Sequence, residues 1–171
     1  MSITDVARPF ATSLRAKASL LQSAALTTRQ KSRLMESLSQ DLRKFCDIVT
    51  PDLCRPMVSV AALEVARGQG VDLCREGWHG QNRFDPGRQK GVARFHLEHI
   101  ITISSMRDAC LQAPDHDAVV DVLASQVRIA WILKSEDLIL TARGHRSTRP
   151  DPDAAYREAG ITLVSCHPEN L

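Results

Sequence analysis

Closely spaced cysteine pairs are missing from this 171-residue chain: Cys46, Cys54, Cys74, Cys110 and Cys166 are odd in number and nowhere spaced C-x-x-C. That pattern signals neither a zinc knuckle nor a disulfide framework, and it suits a reducing cytoplasm. No window approaches the ~18 apolar residues that mark a membrane span. The N-terminus carries Asp5 and Arg8 in its first turns, where a secretory signal would need an apolar run and a small-residue cleavage site. Internal repeats and low-complexity tracts are also lacking. These absences predict a cytoplasmic protein with no membrane partner. Net charge is nearly absent too, at +2, which alone argues neither for nor against a polyanionic partner.

Apolar residues at 43% and charged residues at 25% place the chain among globular proteins able to bury a core. The charge is unevenly spread. Up to Arg94 there are 15 Lys/Arg against 9 Asp/Glu, and from Phe95 onward 7 against 11. A basic surface beside an acidic pocket suits a metal-dependent nuclease, because phosphates bind the first and a cation the second. Charges that merely solvate exposed helix faces are the plainer reading.

Along the chain, Val6, Phe10, Leu14, Ala18, Leu21 and Ala25 recur at helical spacing, so a helix is predicted over Ile3–Ala25, with Pro9 limiting its straightness. A second runs from Arg29 to Val49, with Leu34, Leu38, Leu42 and Phe45 inward and Arg29, Lys31, Arg33, Arg43 and Lys44 toward solvent. This basic helical hairpin reads either as a grip on nucleic acid or a homodimer surface, or as a pair packed on the core. Val58–Arg67 reads as a helix that Gly68-Gln69-Gly70 ends. A Gly-, Pro- and Arg-rich loop follows over 71–91, carrying Trp78, Arg83, Phe84 and Arg88. It would line a nucleic-acid channel by stacking and phosphate contact, or be a surface loop pinned by a buried Trp78 and Phe84. Helices are predicted from Ser104 or Ser105 to Leu111 and over His116–Ser125, then a strand over Val127–Leu133 and a helix that Ser135 caps and Gly144 stops. A basic loop over 144–152, a helix over Asp153–Ala159 and an extended Ile161–Val164 close the chain.

The most chemistry lies in Arg94–Ile103, a predicted strand interrupted by His96, Glu98 and His99. Strand alternation puts His96 and Glu98 on one side, and Phe95, Leu97, His99, Ile101 and Ile103 on the other. A carboxylate beside an imidazole can hold a divalent cation and activate water. An ordinary strand with a few polar residues is the competing reading. His79, His116, His145 and His167 read as surface residues, with His145 beside Arg146 and Arg149 within reach of a phosphate.

Glu98-His99-Ile100, followed by Trp131-Ile132-Leu133-Lys134-Ser135-Glu136-Asp137, resembles the HNH-family (ββα-metal) endonucleases, in particular divergent restriction-type members whose hairpin carries a helical insertion. The resemblance covers Arg94–Gly144. It implies an α+β, helix-rich fold with an HNH-like ββα-metal core. It divides the chain into an N-terminal helical region, 1–70, and a core with insertion and trailer, 71–171. By the same resemblance Glu98 and Asp137 are metal ligands and His99 is the general base, with His96 and Glu136 as accessory residues. The implied cofactor is Mg²⁺ or Mn²⁺ and the expected substrate DNA, with Arg83, Arg88, Arg146 and Arg149 as candidate phosphate contacts. The chain departs from the family pattern in that its asparagines, Asn82 and Asn170, lie outside the hairpin, and the helix carries an acid where a histidine is expected. A non-catalytic, helical DNA-binding or regulatory protein on a degenerate HNH-like scaffold is the alternative.

Overall fold

The computed structural model describes residues 1–166, so the expectation for His167 lies outside the described residues. Its contacts divide the chain into two compact units: residues 1–49 with 103–127, and residues 50–102 with 128–171. The boundary is therefore not at residue 70. The segment between the two main strands, residues 103–127, groups with the N-terminal helices instead.

The first unit is all helical. Helix α1 (Ile3–Leu21) begins with a capping box in which Ser2 and Asp5 satisfy each other's backbone N–H groups. It accommodates Pro9 and buries Val6, Ala7, Ala11 and Leu14. Helix α2 (Thr28–Val49) buries Leu38, Leu42, Phe45, Cys46 and Val49, and Phe45 meets Phe10 edge-on at 5.5 Å. The other two helices come from the insertion, α5 (Ile103–Gln112) and α6 (His116–Gln126). Asp115 caps α6 through the Ala118 N–H, and Arg15 of α1 donates to the Ala113 carbonyl just beyond the end of α5 at 2.9 Å.

The second unit is built on a four-stranded mixed sheet in the order β2-β3-β1-β4. Strand β2 (Phe95–His99) and β3 (Ile129–Leu133) are antiparallel, registered from Phe95–Leu133 to His99–Ile129. Strand β1 (Met57–Ser59) is parallel to β3 and antiparallel to β4 (Leu163–Ser165). Val58 and Ser59 therefore belong to a strand, not to the helix predicted there. Ser59 ends the strand by capping α3 (Val60–Gly68) through the Ala62 N–H. The predicted loop over 71–91 is a series of 3-10 turns around α4 (Gln81–Phe84). Asp85 accepts hydrogen bonds from the Arg94 and Phe95 N–H groups at 2.9 Å, fixing where β2 begins. Phe84 packs edge-on against Phe95 and Trp131, while Trp78, expected to be buried, is 40% exposed.

Helix α7 (Lys134–Ala142) leaves β3 directly, its start held by Glu136, which accepts from the Leu133 N–H at 2.8 Å. Helix α8 (Pro152–Glu158) is capped by Asp151. One core cluster joins Ile100, Ala130 and Ile132 to Leu140, Tyr156, Ala159 and Ile161. The succession of an antiparallel strand pair and a helix is thus present in an α+β, helix-rich fold. Among the described residues, no helix is long and apolar enough to cross a membrane.

Cys74 and Cys166 form a disulfide, 92 positions apart, which corrects the expectation that the cysteines suit a reducing cytoplasm and build no disulfide framework. Such a pair leaves no local spacing signal, because the fold itself brings the two Cα atoms to 5.5 Å. Disulfides are uncommon in reducing compartments, so the cysteine content ceases to argue for the cytoplasm.

Candidate metal centre

His96, Glu98 and Asp137 come together at the junction of β2 and α7. One ligand atom from each lies within 4.8 Å of the others. Strand alternation brings His96 and Glu98 to one face of the sheet, and the first turn of α7 carries Asp137 over that face. His96 Nε2 is 2.9 Å from Glu98 Oε2 and 3.7 Å from Asp137 Oδ1. An octahedral ion with bonds of about 2.1 Å sets neighbouring donors about 3 Å apart, so small side-chain rotations suffice for these three atoms to share one cation.

The second oxygen of each carboxylate is held by a cation. Arg149 Nη2 donates to Glu98 Oε1, and Lys134 Nζ to Asp137 Oδ2. Each acid is thereby turned so that its other oxygen faces His96, the kind of outer-shell restraint that orients metal ligands. Burial pushes the Glu98 carboxyl up, but the His96 hydrogen bond and the Arg149 charge and hydrogen bond outweigh it, and the group sits below its ordinary value.

His99 does not belong to this group. It sits one position beyond Glu98 and so projects to the opposite face. His96, expected only as an accessory, is the imidazole that stands with the two acids. Glu136 is also turned away from the cation position, since its Oε2 accepts from both Ser59 Oγ (2.6 Å) and the Leu133 N–H.

The four predicted phosphate contacts separate. Arg149 is 4% exposed, and its guanidinium donates to the His145 and His99 carbonyls as well as to Glu98. It is a clamp inside the protein and is unavailable to DNA. Arg83 is exposed but paired with Glu76 at 3.0 Å. Arg88 lies 3.8 Å over the Trp78 ring and donates to the Trp78 carbonyl. Arg146 is exposed. Among the other histidines, His116 meets Thr12 Oγ1 at 3.2 Å, and His145 lies 3.4 Å from Glu158.

Sequence reasoning misses Tyr156 and the clamping roles of Arg149 and Lys134. Only Lys134 leaves a trace, three positions before Asp137 on the same helix. Tyr156 also lines a cavity of about 410 Å³ with Met57, Arg128, Arg157 and Leu163. Comparison of the chain with family models, with curated proteins and with solved structures gives no match.

Proposed function

We propose that this chain is a divalent-metal-dependent endonuclease that hydrolyses DNA phosphodiester bonds through an HNH-like ββα arrangement. The carrying observation is the convergence of His96 Nε2, Glu98 Oε2 and Asp137 Oδ1 on a β–β–α junction, with each acid's second oxygen held by a cation. An imidazole beside two carboxylates suits Mn²⁺ better than Mg²⁺, which prefers oxygen donors alone. When bound, such an ion polarises a phosphoryl oxygen, lowers the pKa of water and stabilises the leaving oxygen. The chain's own residues do the rest: Arg149 and Lys134 orient the two acids, and the buried strand face under Glu98 excludes bulk water from that side. Arg146, exposed on its loop, is the one of the four phosphate contacts first named that no side chain among the described residues occupies.

The test is nicking of supercoiled plasmid with Mn²⁺ by the wild-type chain and by Glu98→Gln, Asp137→Asn and His99→Ala. The first two variants are expected to lose activity and the third to retain it. Activity that survives both acid substitutions contradicts the proposal.

One observation favours a second reading. Glu98 and Asp137 are already countered by Arg149 and Lys134, so the cluster is electrically balanced without an ion. On that reading the chain is a non-catalytic DNA-binding or interaction protein whose basic surface, including Arg29, Arg33, Arg43 and Lys44 of α2, meets its partner. It predicts an unchanged melting temperature on addition of Mn²⁺, whereas a bound ion raises it by mass action.

A further inference from the structure

Tyr156 is an anomaly in the core. Its residue is 3% exposed, and its hydroxyl is buried without a hydrogen-bond partner among the described residues. An orphaned buried hydroxyl destabilises a fold, and a phenylalanine would fill the same space among Ile100, Ile132, Leu140 and Ile161 without that cost. The ring lies beside the clamp of the candidate metal centre: the Arg149 guanidinium that holds Glu98 is 5.6 Å from its centroid. The charges acting on the hydroxyl are those of the same site, Glu98, Arg149, Asp137 and Glu136. At neutral pH a tyrosine hydroxyl keeps its proton and can donate a hydrogen bond.

A fully enclosed hydroxyl excludes a polymer as its direct partner; nothing larger than a water or an ion can reach it, and the side chains around it must shift slightly to admit one. Three protein donors leave about three further positions around a six-coordinate cation. We infer that Tyr156 is a positioning residue of the His96–Glu98–Asp137 site, its hydroxyl donating to an ordered water held between it and the bound divalent cation. The inference rests on the metal-dependent reading of that site. It accounts for a polar atom that the ion-free fold leaves unsatisfied, and it makes the site a four-residue device rather than a triad.

The experiment compares the full-length wild-type chain with Tyr156→Phe, using Mn²⁺ as the probe and two readouts, the melting temperature without metal and the Mn²⁺ dissociation constant by calorimetry. Removing an outer-shell partner costs roughly 10–100-fold in metal affinity, so the variant is expected to bind Mn²⁺ at least about 10-fold more weakly. Its metal-free melting temperature should be equal to or above that of the wild type. A merely structural tyrosine moves the two readouts differently: the metal-free protein loses stability and its affinity is unchanged. Equal Mn²⁺ affinity in the two proteins overturns the role of Tyr156 and leaves the metal centre standing. A lowered metal-free melting temperature also overturns it, since the hydroxyl then has a partner in the ion-free fold. Absence of Mn²⁺ binding by the wild type overturns both the inference and the reading on which it rests.

Discussion

Arg149 and Glu98 form a buried ion pair across 51 positions of sequence, the guanidinium side chain being 1% exposed and the carboxylate 12%. It ties the loop before α8 to the strand that carries the candidate centre. Removing one partner leaves an uncompensated buried charge, whereas removing both does not. Arg149→Met is therefore expected to destabilise the fold by about 3–5 kcal/mol. Adding Glu98→Met should recover much of the loss. Urea unfolding of the two variants checks this, and equal losses in single and double variants would contradict it.

The same pair carries a pH dependence. The folded Glu98 carboxyl lies below its ordinary value of 4.5, held there against burial by His96 and Arg149. A depressed carboxyl stabilises the fold fully above the unfolded value and loses that contribution as pH falls through the folded one. The stability difference between wild type and Glu98→Gln is thus expected to be constant near neutrality and to narrow on acidification below about 4.5. Chemical unfolding at a series of pH values measures it. A gap that stays constant to low pH would show that Glu98 is not held in its charged form.

Trp131 is fully buried in β3, and its Nε1 donates to the Glu76 carbonyl at 2.8 Å. Trp131→Phe removes that bond and leaves part of the ring's volume empty. The expected loss is about 2 kcal/mol, from the orphaned carbonyl and the cavity. Thermal unfolding gives the comparison; a melting temperature equal to wild type would mean that the indole bond contributes nothing.

The disulfide gives a direct count. With Cys74 and Cys166 paired and Cys46, Cys54 and Cys110 outside any disulfide, thiol titration of the denatured chain should find three reactive groups before reduction and five after. Because the bond closes so long a loop, reduction should lower stability by roughly 2–4 kcal/mol. Five thiols in the unreduced protein would refute the pairing.

Much of this arrangement is readable from residue order. The alternation of Phe95, Leu97 and His99 against His96 and Glu98 sets the faces of β2. Asp115, a capping residue type just ahead of an apolar periodic run, marks where α6 starts. Asp137 is legible from its place in the first turn after a strand. Other features are not, because they depend on contacts far apart in sequence. Strands β1 and β4 have three residues each and so no periodicity to detect. Arg149 looks like a surface cation beside Arg146, since nothing local reveals that three carbonyls and a carboxylate await it. His99 takes its reacting role only by family analogy, although its own position in the strand already places it opposite Glu98. Tyr156 carries no signal at all: at helical spacing it is one more core residue.

The central claim is that His96, and not His99, completes a cation site with Glu98 and Asp137. Calorimetric titration with Mn²⁺ of the wild type, His96→Ala and His99→Ala tests it most directly. The account predicts one Mn²⁺ per chain for the wild type and His99→Ala, with binding lost in His96→Ala. Loss of binding in His99→Ala with retention in His96→Ala, or no binding by the wild type, would contradict it.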